Sequence, residues 1–165
     1  MLPYAPWLCW AIPALGAVIV PLFDLAGWTG KYRGHLGIST IGLSVLFAVS
    51  MMDEAFRGEV IDFRLHFPFP LEIGVLLDPL SVLMAVLVSV IGLFVAWFSH
   101  GYLGEDPGLT RFWFIMQLFI SGYLIIVLAD NLLFMFIGWE IVGICCTYLT
   151  AYQYKIKRMA HLGLR

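Results

Sequence analysis

The chain has 165 residues, of which 62% are hydrophobic and 12% are charged, and its mean hydropathy is +0.95. Soluble domains carry about 25% charged residues, so this composition excludes a soluble globular protein and predicts a polytopic membrane protein. A net charge of −2 gives no indication of nucleic-acid binding.

Five hydrophobic segments are long enough to cross a bilayer, which predicts an all-α membrane domain with five transmembrane helices. They cover residues 5–23, 36–52, 75–99, 111–129 and 131–154. Pro13 predicts a kink in the first segment. Only Asp130 and Asn131 separate the last two segments, which predicts a tight antiparallel helical hairpin. Five tryptophans lie near the predicted membrane interfaces and are interpreted as belt residues: Trp7, Trp10, Trp28, Trp97 and Trp113.

The basic residues predict the orientation of these helices. Two lie in the first loop, one in the third and four in the C-terminal tail, so an outer N-terminus places seven of the nine on the inner side. The opposite orientation places two there. The positive-inside rule therefore favours an outer N-terminus and an inner C-terminus.

The outer loop over residues 53–74, between the second and third segments, contains a β pattern. From Ile61 to Ile73 every odd position is apolar, whereas the even positions hold charged residues, a histidine and two prolines. This alternation predicts a strand with one covered face, which Pro68 and Pro70 interrupt or turn. A small hairpin is rarely stable alone, so we expect it to pack on its own helices or on a neighbouring subunit. A surface flap without function is the alternative.

Two aspartates are explained by local structure. Asp78 precedes Pro79, with Ser81 in the first turn, which is typical of a helix N-cap. Asp130 lies in the tight turn between the last two segments, where aspartate is favoured.

Two further polar residues are weaker functional candidates. His100 ends the third segment and is a candidate proton relay, with a solvated helix end as the alternative. Arg111 begins the fourth helix, where a cation is poorly matched to the helix dipole. It is therefore a candidate partner for Glu105, for Asp106 or for a neighbouring chain.

Glu140 is the main functional candidate. Nine residues of the fifth segment precede it, which places it near the bilayer midplane. An ionisable group at that depth costs on the order of 2.5–3.5 kcal/mol on insertion scales, and it persists where it titrates, pairs with a cation or faces water. Gly143 and Thr147 share its face and form a small-xxx-small pair, so we expect another helix to approach there. A permanently protonated, hydrogen-bonded glutamate is the alternative.

The sequence contains no phosphate-binding glycine loop, no nucleophile–base pair and no cofactor fingerprint. The three cysteines, Cys9, Cys145 and Cys146, lie in apolar segments and are interpreted as small hydrophobic residues rather than as metal ligands. We therefore expect any redox chemistry to occur in other subunits.

Five motifs in this order resemble the N-terminal part of the antiporter-like subunit L (chain 5) of respiratory complex I. Its relatives include F420H2 dehydrogenase, membrane-bound hydrogenases and multi-subunit cation/proton antiporters. The resemblance covers residues 74–154 most clearly and implies a single membrane domain over residues 1–165. The motifs are Gly74-Val-Leu-Leu-Asp-Pro-Leu-Ser81, Phe98-Ser-His-Gly-Tyr-Leu103, Arg111-Phe-Trp113, Val127-Leu-Ala-Asp-Asn-Leu-Leu133 and Gly138-Trp-Glu-Ile-Val-Gly143.

The resemblance implies a proton-translocating membrane-arm subunit of a complex-I-like NADH (or F420H2):quinone oxidoreductase. The membrane would be a prokaryotic plasma membrane or the mitochondrial inner membrane. Glu140 matches the family's essential glutamate, which pairs with a lysine on a later, broken helix. His100 and Arg111 match positions in the connection between the third and fourth helices. No cofactor is expected in this chain, and flavin and iron–sulfur clusters are expected in partner subunits.

The sequence departs from the family in its number of helices, since members usually carry fourteen or more. We therefore expect a truncated or split subunit, whose later helices and partner lysine for Glu140 come from another membrane-arm chain. Two other functions stay open. One is a fragment of a cation/proton antiporter without redox activity, and the other is a structural packing module in which Glu140 is silent.

Overall fold

The computed structural model of the chain describes residues 2, 4–27, 31–58, 60–66, 72–104, 106 and 108–152. Five helical segments of this part are long and apolar enough to cross a membrane, as predicted, and a two-stranded hairpin precedes the third. The predicted orientation stays a prediction. The elements in chain order are α1 (Ala5–Leu25), α2 (Lys31–Ser50), α3 (Met52–Arg57), β1 (Ile61–His66), β2 (Glu72–Leu77), α4 (Pro79–Leu103), α5 (Leu109–Leu128) and α6 (Leu132–Thr150).

The third membrane helix begins later than predicted. Val75 and Leu77 belong to β2, because they pair with β1 in the antiparallel sheet. Asp78 then ends the strand and caps α4, which confirms the predicted N-cap. The Ser81 N–H donates to Asp78 Oδ1 over 2.6 Å, and the Asp78 N–H donates to Ser81 Oγ over 2.9 Å. This reciprocal capping box fixes the boundary between the hairpin and the membrane helix.

The helix α5 lies at the centre of the bundle. It packs against α1, α4 and α6, while α2 bridges α1 and α4. Trp113 of α5 is completely buried, so its interpretation as a belt residue at the interface was wrong. Its indole lies in the space that a side chain at Gly37 of α2 would occupy. A large aromatic ring is enclosed there because the facing helix carries a glycine.

The hairpin packs on helices of its own chain, which is one of the two packing arrangements predicted from the sequence. β2 contacts α1, α4 and α5, and Val75 and Leu77 are buried. Val75 also forms a bridge with Ala129, and the Asp130 N–H donates to Gly74 O over 3.1 Å. The turn between α5 and α6 therefore continues the sheet beyond β2. Pro68 and Pro70 lie outside the described residues.

These contacts define two ends of the bundle. The hairpin end contains β1, β2 and the turn between α5 and α6. The opposite end contains the C-terminus of α1, the N-terminus of α2, the connection between α4 and α5, and the C-terminus of α6.

Candidate functional site

The helix α6, which carries Glu140, is fixed to α5 by two glycines. A Cβ atom on Gly138 would lie 2.9 Å from the Gly122 carbonyl oxygen, and one on Gly122 would lie 3.1 Å from the Gly138 oxygen. Both backbones therefore approach more closely than any side chain allows. This contact between α5 and α6 was not predicted from the sequence. The sequence feature that could have predicted it is a glycine near the middle of each of the two helices in the predicted hairpin.

This contact decides where Glu140 points. The buried residues of α6 repeat every three or four positions and form one stripe toward α5: Phe134, Gly138, Val142 and Cys145. Glu140 follows Gly138 by two residues, or about 200° around the helix, and so lies on the opposite face. Its side chain is exposed, and no hydrogen bond or ion pair joins it to another described residue.

Gly143 and Thr147 share the uncovered face, and we call these two residues together with Glu140 the Glu140 face. A Cβ atom on Gly143 would meet no other part of the described chain within 4 Å. The Thr147 hydroxyl donates to the Gly143 carbonyl of its own helix over 3.2 Å. None of the described helices of this chain approaches the Glu140 face, so the predicted helix interface there stays a prediction about a helix from outside the described residues.

The structure places His100 at the opposite end, against α2. A side chain at Gly34 would occupy the space of the His100 ring. The centroids of the His35 and His100 rings are 4.9 Å apart, and the His100 centroid is 6.4 Å from that of Trp113. The structure does not bring His100 into contact with Glu140, and its predicted relay role stays a prediction.

Arg111 contacts the end of α6. Its Nη2 donates to the Tyr152 carbonyl over 3.1 Å, and its guanidinium carbon lies 5.7 Å from the centroid of the Tyr152 ring. The Tyr152 hydroxyl donates to Asp106 Oδ1 over 2.8 Å. Glu105, another predicted partner of Arg111, lies outside the described residues. Tyr152 was not predicted as a functional residue. Its contacts attach the end of α6 to the segment between α4 and α5.

The environment of Tyr152 changes its acidity. Burial raises the pKa of the Tyr152 hydroxyl to about 12, and the hydrogen bond to Asp106 and the negative charge of Asp106 act in the same direction. The positive charge of Arg111 lowers the pKa and opposes these effects. The hydroxyl is therefore a permanent donor at physiological pH.

Two polar contacts between helices were not predicted, one in the interior of the bundle and one, partly exposed, at the end opposite the hairpin. Gln117 of α5 is completely buried, and the Thr40 hydroxyl lies 2.7 Å from its Oε1. Asp24 of α1 forms an ion pair with Arg33 at 2.7 Å between Oδ1 and Nη2, and its other oxygen accepts from the Thr110 hydroxyl over 2.9 Å. The Thr40–Gln117 and Asp24–Thr110 contacts join residues 77 and 86 positions apart in the sequence. Within the described ranges, no group of three His, Cys, Asp or Glu side chains could hold a metal ion.

Comparisons with known proteins agree with the motifs. The family model described as NADH-Ubiquinone oxidoreductase (complex I), chain 5 N-terminus, matches residues 65–113. NAD(P)H-quinone oxidoreductase chain 5 of Picosynechococcus sp. is 32% identical over 164 residues, which cover 93% of this chain and 25% of that protein. NADH-quinone oxidoreductase subunit L of Escherichia coli is 30% identical over 156 residues, which cover 87% of this chain and 24% of that protein.

The fold is also found in a solved structure, the membrane-bound sulfane sulfur reductase, an archaeal respiratory membrane complex. The TM-score is 0.85 at 19% identity, and the match covers 96% of this chain and 32% of that chain. At this identity the match concerns the fold alone. The chain spans about a quarter of the length of the curated relatives it matches. It is an integral membrane protein, and it is similar to the N-terminal part of the antiporter-like subunit L (chain 5) of complex I.

Proposed function

We propose that this chain supplies the first five membrane helices of a proton-translocating membrane-arm subunit. The whole assembly would be a complex-I-like NADH (or F420H2):quinone oxidoreductase, in which Glu140 takes up and releases protons. The relatives named above are subunits of quinone oxidoreductases, which supports a place within an enzyme complex. We further propose that this subunit itself carries out no electron transfer. Flavin and iron–sulfur clusters would belong to partner subunits.

The observation that carries the proposal is the uncovered position of Glu140 in the middle of α6. In lipid, an ionised carboxylate at this depth would be strongly unfavourable. Because the described helices of this chain leave it uncovered, protein from outside them is required to cover it. Gly143 adds no side chain to this face, so a covering helix could approach closely.

The covering helix should carry a lysine or another cation at the same depth. A cation beside Glu140 favours the ionised carboxylate, whereas withdrawal of that cation into a dry environment favours the protonated form. A change in this pairing would therefore make Glu140 release or take up a proton. The glycine contact between Gly122 and Gly138 would hold the carboxyl group at a constant depth during these changes.

The test is Glu140→Gln in the assembled complex, reconstituted in proteoliposomes. We expect at least a tenfold fall in protons translocated per electron pair, with the subunit composition unchanged, because glutamine has nearly the shape of glutamate but does not titrate. The matched control is Asp53→Asn, which neutralises an exposed carboxylate of α3. It should leave translocation unchanged.

Three outcomes distinguish the alternative functions. Unchanged translocation by Glu140→Gln would contradict the proposal and favour a structural packing module. A purified assembly that lacks redox subunits and exchanges sodium for protons would favour a cation/proton antiporter. Redox subunits together with a second chain that carries a lysine in the middle of a membrane helix would support the proposed split subunit.

A further inference from the structure

A crevice of about 270 Å³ lies between α1 and α2, at the opposite end from the hairpin. Its apolar wall consists of Val20, Phe23 and Leu36. Its polar wall consists of Tyr32, Arg33, His35 and Ser39. The Glu140 face of α6 contributes nothing to this crevice, so the site is separate from the one proposed for proton transfer.

Arg33 lines this crevice, and its guanidinium group is only partly engaged by hydrogen bonds to the described residues. Its Nη2 is held by Asp24, and the second oxygen of Asp24 accepts from Thr110. The guanidinium group is therefore fixed in place from one side. Its Nε is buried and has no hydrogen-bond partner among the described residues. A buried N–H without an acceptor is unfavourable, and a small shift of the guanidinium group toward the crevice would bring it to an acceptor bound there.

His35 supplies a second donor on the same wall. Its side chain is exposed, and its ring packs edge-on against His100 with the centroids 4.9 Å apart. Among the described side chains, the charged and titratable groups around the crevice are Asp24, Arg33, His35, His100 and Tyr32. Asp24 is engaged by Arg33 and Thr110, so a bound group would meet the donors of the polar wall, among them the Arg33 guanidinium group and the His35 ring.

The depth of these residues identifies the type of ligand. Tyr32 and Arg33 lie in the first turn of α2, at the level where the membrane helices end. Ser39 lies eight residues into α2, or about 12 Å along its axis, and Val20 lies in α1 five residues before its end. The crevice therefore has donors at its mouth and an apolar wall that reaches into the hydrocarbon region. A phospholipid has the same distribution of polar and apolar groups. A free phosphate ion has no apolar part that could pack against the apolar wall.

We propose that this crevice binds an anionic phospholipid. The phosphate accepts hydrogen bonds from the Arg33 guanidinium group and His35, and an acyl chain lies against Val20, Phe23 and Leu36. The predicted orientation places this end of the bundle in the inner leaflet, where basic groups next to the membrane attract anionic lipids. The bound lipid would fill the space between α1 and α2 and stabilise their packing at this end of the bundle.

The experiment uses the assembled protein, delipidated in mild detergent, and native mass spectrometry of the lipid that it retains. Phosphatidylglycerol and phosphatidylcholine with identical acyl chains are added in equal amounts. We expect at least a fivefold preference for phosphatidylglycerol at one site. Arg33→Gln combined with His35→Gln should reduce the occupancy of this site at least fivefold. Arg57→Gln, a matched loss of an exposed cation in α3 at the hairpin end, should leave it unchanged.

A second variant keeps the proposal testable if the loss of Arg33 disturbs folding. Ser39→Phe fills the crevice without altering the ion pair between Asp24 and Arg33, and it should also displace the lipid. Equal retention of both lipids, or retention of phosphatidylglycerol by Ser39→Phe, would overturn the proposal. Excess inorganic phosphate should leave the lipid bound, and displacement by phosphate would show an anion site rather than a lipid site.

Discussion

The helices α5 and α6 form one hairpin and are equally apolar, but their surroundings differ. Twelve of the 20 residues of α5 are buried, compared with four of the 19 residues of α6. The central polar residue of α5, Gln117, is enclosed and lies within hydrogen-bond distance of Thr40. The central polar residue of α6, Glu140, is exposed. The enclosed residue is an amide that never ionises, and the residue that can ionise lies on the helix that is open to further protein.

The two faces of α6 can be compared directly with two glycine variants. Gly138→Leu should destabilise the chain by about 3 kcal/mol, the upper end of typical overpacking costs, because its side chain would meet the backbone of α5. Gly143→Leu should not destabilise the purified chain in detergent, because no atom of the described residues would lie within 4 Å of the first side-chain carbon at Gly143. The measurement is unfolding of both variants in mixed micelles.

The same two variants test whether further protein covers the Glu140 face. In the assembled complex, Gly143→Leu should weaken the association of this chain with its partners, as measured by native electrophoresis. If Gly143→Leu assembles as well as the wild type, then no helix packs closely on this face. In that case the contrast between the two helices would have no functional meaning.

The turn that joins the two helices should be the next most sensitive position. The Asp130 side chain is only 5% exposed, accepts from Asn131 Nδ2 over 2.6 Å and lies 3.3 Å from Arg64 Nε. Asp130→Ala should cost about 2 kcal/mol, because it removes hydrogen bonds to a charged group. The rates of amide hydrogen exchange in β1 and β2 should also rise in this variant, because the Asp130 carboxylate fills the space beside Gly74.

The control for this prediction is Asp62→Ala. Asp62 contacts the same Arg64 at 2.7 Å but is 37% exposed, and such surface pairs contribute about 0–1 kcal/mol. Equal exchange rates in the two variants would mean that the hairpin is held by its apolar face alone and not by the turn between α5 and α6.

Gln117 tests whether the enclosed polar residue is structural. Gln117→Leu should change the stability by no more than about 1 kcal/mol, because it removes a buried Nε2 that has no partner among the described residues. The Thr40 hydroxyl would still donate to the Gly37 carbonyl, 2.9 Å away. Proton translocation should remain at the wild-type level. A translocation defect in Gln117→Leu, measured in the same proteoliposomes as Glu140→Gln, would contradict a purely structural role for the enclosed polar residue of α5.

Much of the fold could be predicted from the sequence, because it depends on local patterns. Hydropathy predicted the five membrane helices, alternation predicted the hairpin, and Asp78 marked a helix start. The error at Val75 arose because a buried strand and the start of a membrane helix have the same apolar composition. Trp113 was misplaced for a related reason. Its position near the end of a helix is typical of a belt residue, but the space beside Gly37 depends on how the helices pack.

The candidate site could be predicted only in part. The depth of Glu140 follows from its position in the segment, whereas the direction in which it points depends on which face of α6 meets α5. That face is set by Gly122 and Gly138, which are sixteen residues apart in the sequence. The contact between Thr40 and Gln117 joins residues 77 positions apart. Contacts over such distances are decided by tertiary packing, which one sequence without its relatives does not contain.

The smallest expected effect concerns the end of α6, where this otherwise open helix is attached to the connection between α4 and α5. The pKa of Tyr152 is raised from 10.0 to about 12, so the folded state favours the neutral hydroxyl. The resulting stabilisation is complete below pH 10 and is lost as the pH rises through 12.

Asp106→Asn should lower the Tyr152 pKa toward its usual value without reaching it, because burial is the largest cause of the shift. The measurement is the absorbance of tyrosinate, taken as the difference between each protein and its Tyr152→Phe counterpart. An unchanged pKa in Asp106→Asn would mean that Arg111 and burial alone hold this end of α6, and that the hydrogen bond to Asp106 contributes nothing.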